Sequence, residues 1–226
     1  MKLSTLIIPL AICAAALAFS AIVYPRLPAV VPSHWDWKGE VDGHGSKNQV
    51  AFLLPVCMVG LLGLFQLLPW LSPKPFSMDG FRKTYDFIIN VVMVFFAYMH
   101  VLFLLPGLGV MVKIDSALMV AMFLFFMVLG NVLGKVQRNL YVGIRTPWTL
   151  ANDRVWADTH RLSAWIFVGM GVIGIGLILC GLYSLFTLPL ILVGVLTTVV
   201  YSLFRYKQLE RRGELGGEEG NRPSCP

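Results

Sequence analysis

Six apolar runs, at residues 4–23, 50–71, 85–105, 116–133, 162–181 and 185–204, constrain this chain more than any other feature. Each is long enough, or nearly so, to cross a hydrocarbon core of ~30 Å, which takes about 20 helical residues. Inside a bilayer a backbone amide has no water to bond, so a run of this kind must satisfy its own hydrogen bonds as a helix. Only 13% of the residues are charged, roughly half the share of a soluble domain. The fold class expected is therefore all-α: a polytopic membrane helix bundle of about six transmembrane helices. The last two runs are so close that "CGLYSLFTLP" must be a tight helical hairpin, with Pro189 tolerated near the start of the sixth helix. The first run follows Lys2 and contains a small-residue pattern, "ALA", of the type cleaved in signal peptides. It continues past that site, and it is expected to stay as a span.

Orientation follows from the basic residues. Of the 18 Lys and Arg, 14 fall on one side if the N-terminus is inside: Lys2, Lys74, Arg82, Lys83, Lys135, Arg138, Arg145, Arg154, Arg161, Arg205, Lys207, Arg211, Arg212 and Arg222. Arg26, Lys38, Lys47 and Lys113 fall on the other. Positive charge is retained on the cytoplasmic side, so both termini are expected there, in a multi-pass protein of the cell (cytoplasmic) membrane. The net charge of +6 is accounted for by membrane lipids as partners, with no direct nucleic acid binding. The tail, residues 207–226, is polar and glycine-rich and is expected to be disordered.

Two polar segments interrupt the apolar sequence. The outer one, residues 24–49, is punctuated by prolines and glycines and reads as an irregular loop. It holds Pro32, His34, Trp35, Gly39, Asp42 and Gly43. His34, Asp36, Asp42 and His44 are residue types that zinc accepts, but their spacing fits no established site, so no metal and no cofactor is assigned.

The inner segment contains "NLYVGIRTPWTLANDRVWADTH", residues 139–160. Pro147 restricts Thr146 to extended backbone and Gly143 permits a turn, so "GIRTPWTL" is expected to be non-helical. Thr149 or Asn152 can cap a new helix that places Val155, Trp156, Thr159, His160 and Ser163 on one face. That describes a short interfacial helix leading into the fifth span, anchored by tryptophan and basic side chains. Within the spans, Asn90, His100 and Asn131 must find polar partners, and Gly169 and Gly176 are spaced to let helices approach closely. Ser163 near His160 is the raw material of an enzyme, yet no motif joins nucleophile, base and orienting group, so no catalytic residue is assigned.

The inner residues Gly130, Asn131, Asn139, Gly143, Arg145, Thr146, Pro147, Trp148, Trp156, Thr159 and His160 together resemble the signature of the SdpI immunity family. The outer residues from Pro32 to Gly43 resemble the module of unknown function that often precedes it, with His44 departing from the usual aromatic residue there. The resemblance implies an N-terminal membrane module over residues 1–112, an SdpI-like membrane module over 113–206 and a tail over 207–226. It implies a non-enzymatic protein that protects a cell from a secreted, membrane-active peptide toxin and relays its presence to a cytoplasmic repressor. A membrane transporter or an intramembrane enzyme is the alternative, although a transporter would place charges deep in its spans, where this chain has none.

Overall fold

In the computed structural model, which describes residues 5–36 and 39–215, the chain is a bundle of helices with one small β-hairpin. The helices are α1 (Ile7–Val23), α2 (Lys47–Leu71), α3 (Arg82–Leu104), α4 (Ile114–Leu133), the short α5 (Pro147–Ala151), α6 (Asp153–Leu179) and α7 (Tyr183–Arg211). All but α5 are long and apolar enough to cross a membrane, six spans in all. Apolar side chains such as Ile7 and Leu10 of α1, Leu53 and Val56 of α2, and Val193, Leu196 and Val200 of α7 point outward. Such a surface would aggregate in water and suits lipid, and the protein is a multi-pass membrane protein.

Local chemistry sets the helix starts. At α2, the Ser46 hydroxyl accepts from the Gln49 N–H at 3.3 Å, and the Gln49 side chain accepts from the Ser46 N–H at 3.1 Å, closing a capping box. At α6, Asn152 Oδ1 accepts from the N–H groups of Arg154 and Val155 at 2.9 and 3.1 Å. Asn152 is thus one of the two caps expected from sequence, and it starts α6 at Asp153, well ahead of the apolar run. Residues 153–161 are therefore the first turns of the span itself rather than a separate helix.

The outer segment is more ordered than expected. Instead of an irregular loop it forms two antiparallel strands, β1 (Val30–Trp35) and β2 (Val41–Ser46), paired from Val30–Ser46 to Trp35–Val41 with irregularities on either side of His34. A two-stranded ribbon has two free edges, so Pro32 costs it no obligatory hydrogen bond. The hairpin is held by burial: Val31 is wholly buried, and Trp35 stacks on Phe103 of α3 at 5.4 Å between ring centroids. The tail also departs from expectation, because α7 continues to Arg211, with Leu209 buried and Arg205 bonded to Asp158 at 2.7 Å. Residues 216–226 of the expected disordered tail lie outside the described residues.

Alternating spans put the hairpin, the α3–α4 turn and the α6–α7 turn at one end of the bundle. Residues 72–81, 134–152 and 212–215 lie at the other, the motif end. The helices α1, α2 and α3 pack on one another, α3 packs on α4, α4 on α6 and α6 on α7. The α4–α6 contact is the most extensive, and glycine permits it, at Gly171 and Gly174 rather than at the expected Gly169 and Gly176. A Cβ on Gly171 would lie 2.1 Å from Met127 Cγ, and one on Gly174 2.3 Å from the Phe123 ring. Gly169 and Gly176 face open space.

Candidate functional site

At the motif end, the chain between α4 and α6 folds into a clasp over the first turns of α6. Asn139 organises it from within. Wholly buried, this side chain donates to the carbonyls of Gln137 and Val142 at 2.8 and 2.9 Å and accepts from the N–H groups of Tyr141 and Val142 at 2.8 and 2.7 Å. All four of its hydrogen-bonding positions are used on the backbone of one short loop, residues 137–142.

Gly143 comes next, with φ of +111°, a conformation that L side chains rarely adopt, and a Cβ there would lie 2.3 Å from His160 Nε2. The glycine lets the loop lie directly on the histidine. His160 Nε2 accepts from the Ile144 N–H at 3.0 Å, while Nδ1 is 2.8 Å from the Trp156 carbonyl. Only the tautomer with its proton on Nδ1 satisfies both contacts. The Trp156 ring stacks on the imidazole at 4.0 Å, and its indole N–H donates to the Val136 carbonyl at 2.7 Å. Trp156 and His160 are therefore the post around which residues 136–144 are tied.

Thr146 links the clasp to α5 and α7. Its hydroxyl accepts from the Thr149 N–H at 3.2 Å, Thr149 Oγ1 accepts from the Thr146 N–H at 2.9 Å, and Pro147 fills the first helical position. "PWTL" is thus helical, contrary to the sequence reading: proline is pre-set for a first turn, and the cap is Thr146 rather than Thr149. The Thr146 hydroxyl also lies 3.0 Å from that of Ser202 on α7.

The remaining motif residues are placed differently. Arg145 is exposed and donates from Nη1 to the Leu140 carbonyl at 2.5 Å, leaving most of its guanidinium facing outward. Trp148 is half-buried on α5. Thr159 is wholly buried, and its carbonyl accepts from the Ser163 hydroxyl at 2.7 Å. Asn131 is not brought into the clasp at all; it stands exposed on α4.

Several residues complete the site without having been marked by spacing. Arg138 donates to the Leu150 carbonyl at 2.8 Å, pairs with Asp153 and lies over the Phe76 ring. Arg205 holds Asp158, and Arg154 holds Glu214 just beyond α7. In the sequence, Arg138, Arg154 and Arg205 mark orientation and indicate no partner. Their acid partners lie up to 60 residues away, so no local pattern signals them.

At the hairpin end, His34 Nδ1 is 2.5 Å from Asp42 Oδ1, an exposed pair. Gly43 lies against His34, where a Cβ would be 2.8 Å from the histidine Cβ. Gly39, with φ of +81°, lies against Asp115, where a Cβ would be 2.9 Å from the carboxyl carbon. Asp115 also accepts from the Tyr183 hydroxyl, a bond that raises the tyrosine above its ordinary titration range. Pro32 sits opposite His44 in the ribbon. Among the described residues no three His, Cys, Asp or Glu side chains converge as a metal site would require.

Both segments coincide with known modules. Residues 135–203 match the SdpI/YfhL protein family, and residues 11–59 match a domain of unknown function, DUF1648. The chain is 28% identical over 193 residues to a protein of Bacillus subtilis (strain 168) named Immunity protein SdpI, a match that covers 84% of this chain and 90% of that protein. This is an SdpI-like membrane protein. The clasp from Val136 to His160 lies wholly within the SdpI/YfhL match, as does Ser202, whereas the exposed Asn131 lies outside it. The hairpin lies wholly within the DUF1648 match. No solved structure matches the SdpI-like chain.

Proposed function

We propose that this protein is an immunity and sensor protein of the cytoplasmic membrane, protecting its cell against a secreted, membrane-active peptide and relaying that peptide's presence to a cytoplasmic regulator. The observation that carries the reading is the similarity to Immunity protein SdpI along 84% of the chain. In this reading residues 1–112 and 113–206 are two membrane modules. The hairpin end faces outward to meet the peptide, and the motif end faces the cytoplasm, as the 14 basic residues on that side favour. The short α5, with Trp148 half-buried, lies at the interface.

The clasp suits a relay better than a simple anchor. One polar knot joins the end of α4, the start of α6 and, through Thr146 with Ser202 and Arg205 with Asp158, the far part of α7. A shift among these helices would be delivered to the exposed Arg145, whose outward N–H donors fit a carboxylate or carbonyl of a partner. The geometry also favours a non-enzymatic role: the His160 ring nitrogens are both engaged, and the Ser163 hydroxyl is spent on the Thr159 carbonyl. The test is to express the protein in a sensitive host and expose it to a panel of membrane-active peptides. Protection against at least one is expected, and no protection across a broad panel would remove the immunity reading.

A further inference from the structure

The motif end holds a second polar feature, on the side of the bundle formed by α3 and α4, which the clasp does not use. A groove of about 860 Å³ opens there, lined by Arg82, Lys83 and Thr84 at the start of α3, by Lys135 just past the end of α4, and by Asp79 and Asp86. The two carboxylates are occupied internally. Asp86 takes Arg82 Nε at 3.1 Å, and Asp79 accepts from the Ser77 hydroxyl at 2.7 Å. The cations outnumber them: Arg82 pairs with Asp86 through Nε while its Nη2 has no partner, and Lys83 and Lys135 are exposed with no ion pair among the described residues. The first turn of α3 has no side-chain cap, so its N–H groups add positive potential.

Below this charge the same two helices present a path for a chain. On α3, Lys83 heads an outward stripe that continues through Phe87, Val94 and Tyr98. On α4, Leu124, Val128 and the exposed Asn131 lead up the same face toward Lys135. Between the stripes runs an apolar furrow of about 290 Å³, lined among others by Val91, Val94, Tyr98, Leu124 and Val128. Val91 is eight residues from Lys83, roughly 12 Å down the helix axis. That is the separation between a phosphate and the upper part of an acyl chain.

We propose that this groove and furrow form a binding site for one anionic phospholipid. Its phosphate would be held by Arg82, Lys83 and Lys135, the Asn131 carboxamide would bond its ester region, and one acyl chain would lie in the α3–α4 furrow. A free phosphate would use the cations alone. The furrow, and the otherwise unexplained exposure of Asn131 on a lipid-facing stripe, select the lipid. Basic pockets at the ends of membrane helices recognise anionic headgroups, each cation near the surface contributing several-fold in affinity.

The full-length protein in nonionic detergent, examined by native mass spectrometry with phosphatidylglycerol or phosphatidylcholine added, tests this. One phosphatidylglycerol should be retained at least about tenfold more strongly than phosphatidylcholine, and soluble glycerol phosphate should not compete for it. Lys83→Gln with Lys135→Gln should abolish that preference. Val128→Trp, which fills the furrow and leaves every charge in place, should reduce retention of both lipids at this site, and Lys113→Gln at the opposite end should change nothing. Comparable elution and melting profiles would establish that each variant is folded. Equal retention of the two lipids, competition by glycerol phosphate, an unaltered preference in the double variant, full retention in Val128→Trp, or an equal loss in Lys113→Gln would overturn the site.

Discussion

Gly143 is the residue on which the clasp depends most directly, because two independent requirements meet there. Its φ of +111° is costly for any side chain, and the space a Cβ needs is already filled by the His160 ring. Gly143→Ala should therefore destabilise the motif end by roughly 1–3 kcal/mol, read as a lower melting temperature and faster proteolysis after Arg138 and Arg145 in inside-out vesicles. An unchanged melting temperature would show that the loop does not lie on the histidine. The sequence suggested a turn at Gly143 and a buried face through Trp156 and His160, since both follow from local rules. It could not show that these features touch, because the contact between a loop residue and a side chain on the following helix is a matter of tertiary packing. Arg145 is the opposite case. Its charge and position were plain, yet its exposure, with one N–H on Leu140, is what makes it available to a partner.

At the scale of elements, the α4–α6 contact separates two kinds of glycine in one helix. Gly171 lies against Met127 and the Phe123 carbonyl, so Gly171→Ala should push the helices apart and lower stability by roughly 1–3 kcal/mol. Gly169 meets nothing within 4 Å, and Gly169→Ala should leave stability unchanged or raise it by up to about 1 kcal/mol through helix propensity. Thermal unfolding of the two variants in detergent compares them directly, and equal losses would contradict the packing. A seven-residue spacing drew attention to the wrong pair, because periodicity identifies a face but not the neighbour that face meets. The spans themselves were legible to within a few residues wherever an apolar run ended in a polar cap. The hairpin was not, since its six-residue strands hold a proline and two glycines that locally argue against any strand, and burial of Val31 with stacking of Trp35 on Phe103 outweighs that preference.

For the whole molecule, orientation and function are coupled, because a relay must present its clasp to the cytoplasm. In a background without the four native cysteines, Glu40→Cys on the hairpin should react with an impermeant thiol reagent in intact cells, and Arg212→Cys beyond α7 only after permeabilisation. The reverse pattern would place the clasp outside and end the relay reading. Six spans could be derived from apolar length alone. The way the clasp reaches α7 could not, because Ser202 and Arg205 carry no motif of their own. The central claim is that the clasp serves protection beyond anchoring the bundle, and Arg145→Lys tests it most directly because it keeps the charge and loses the planar fork. In a sensitive host carrying parent or variant at matched membrane level and topology, the measurement is survival across a dilution series of a peptide against which the parent protects. Survival with Arg145→Lys should fall well below that of the parent, while Arg154→Lys, whose partner Glu214 accepts either cation, should match it. Protection by Arg145→Lys equal to that of the parent would contradict the account and leave Arg145 as an anchor.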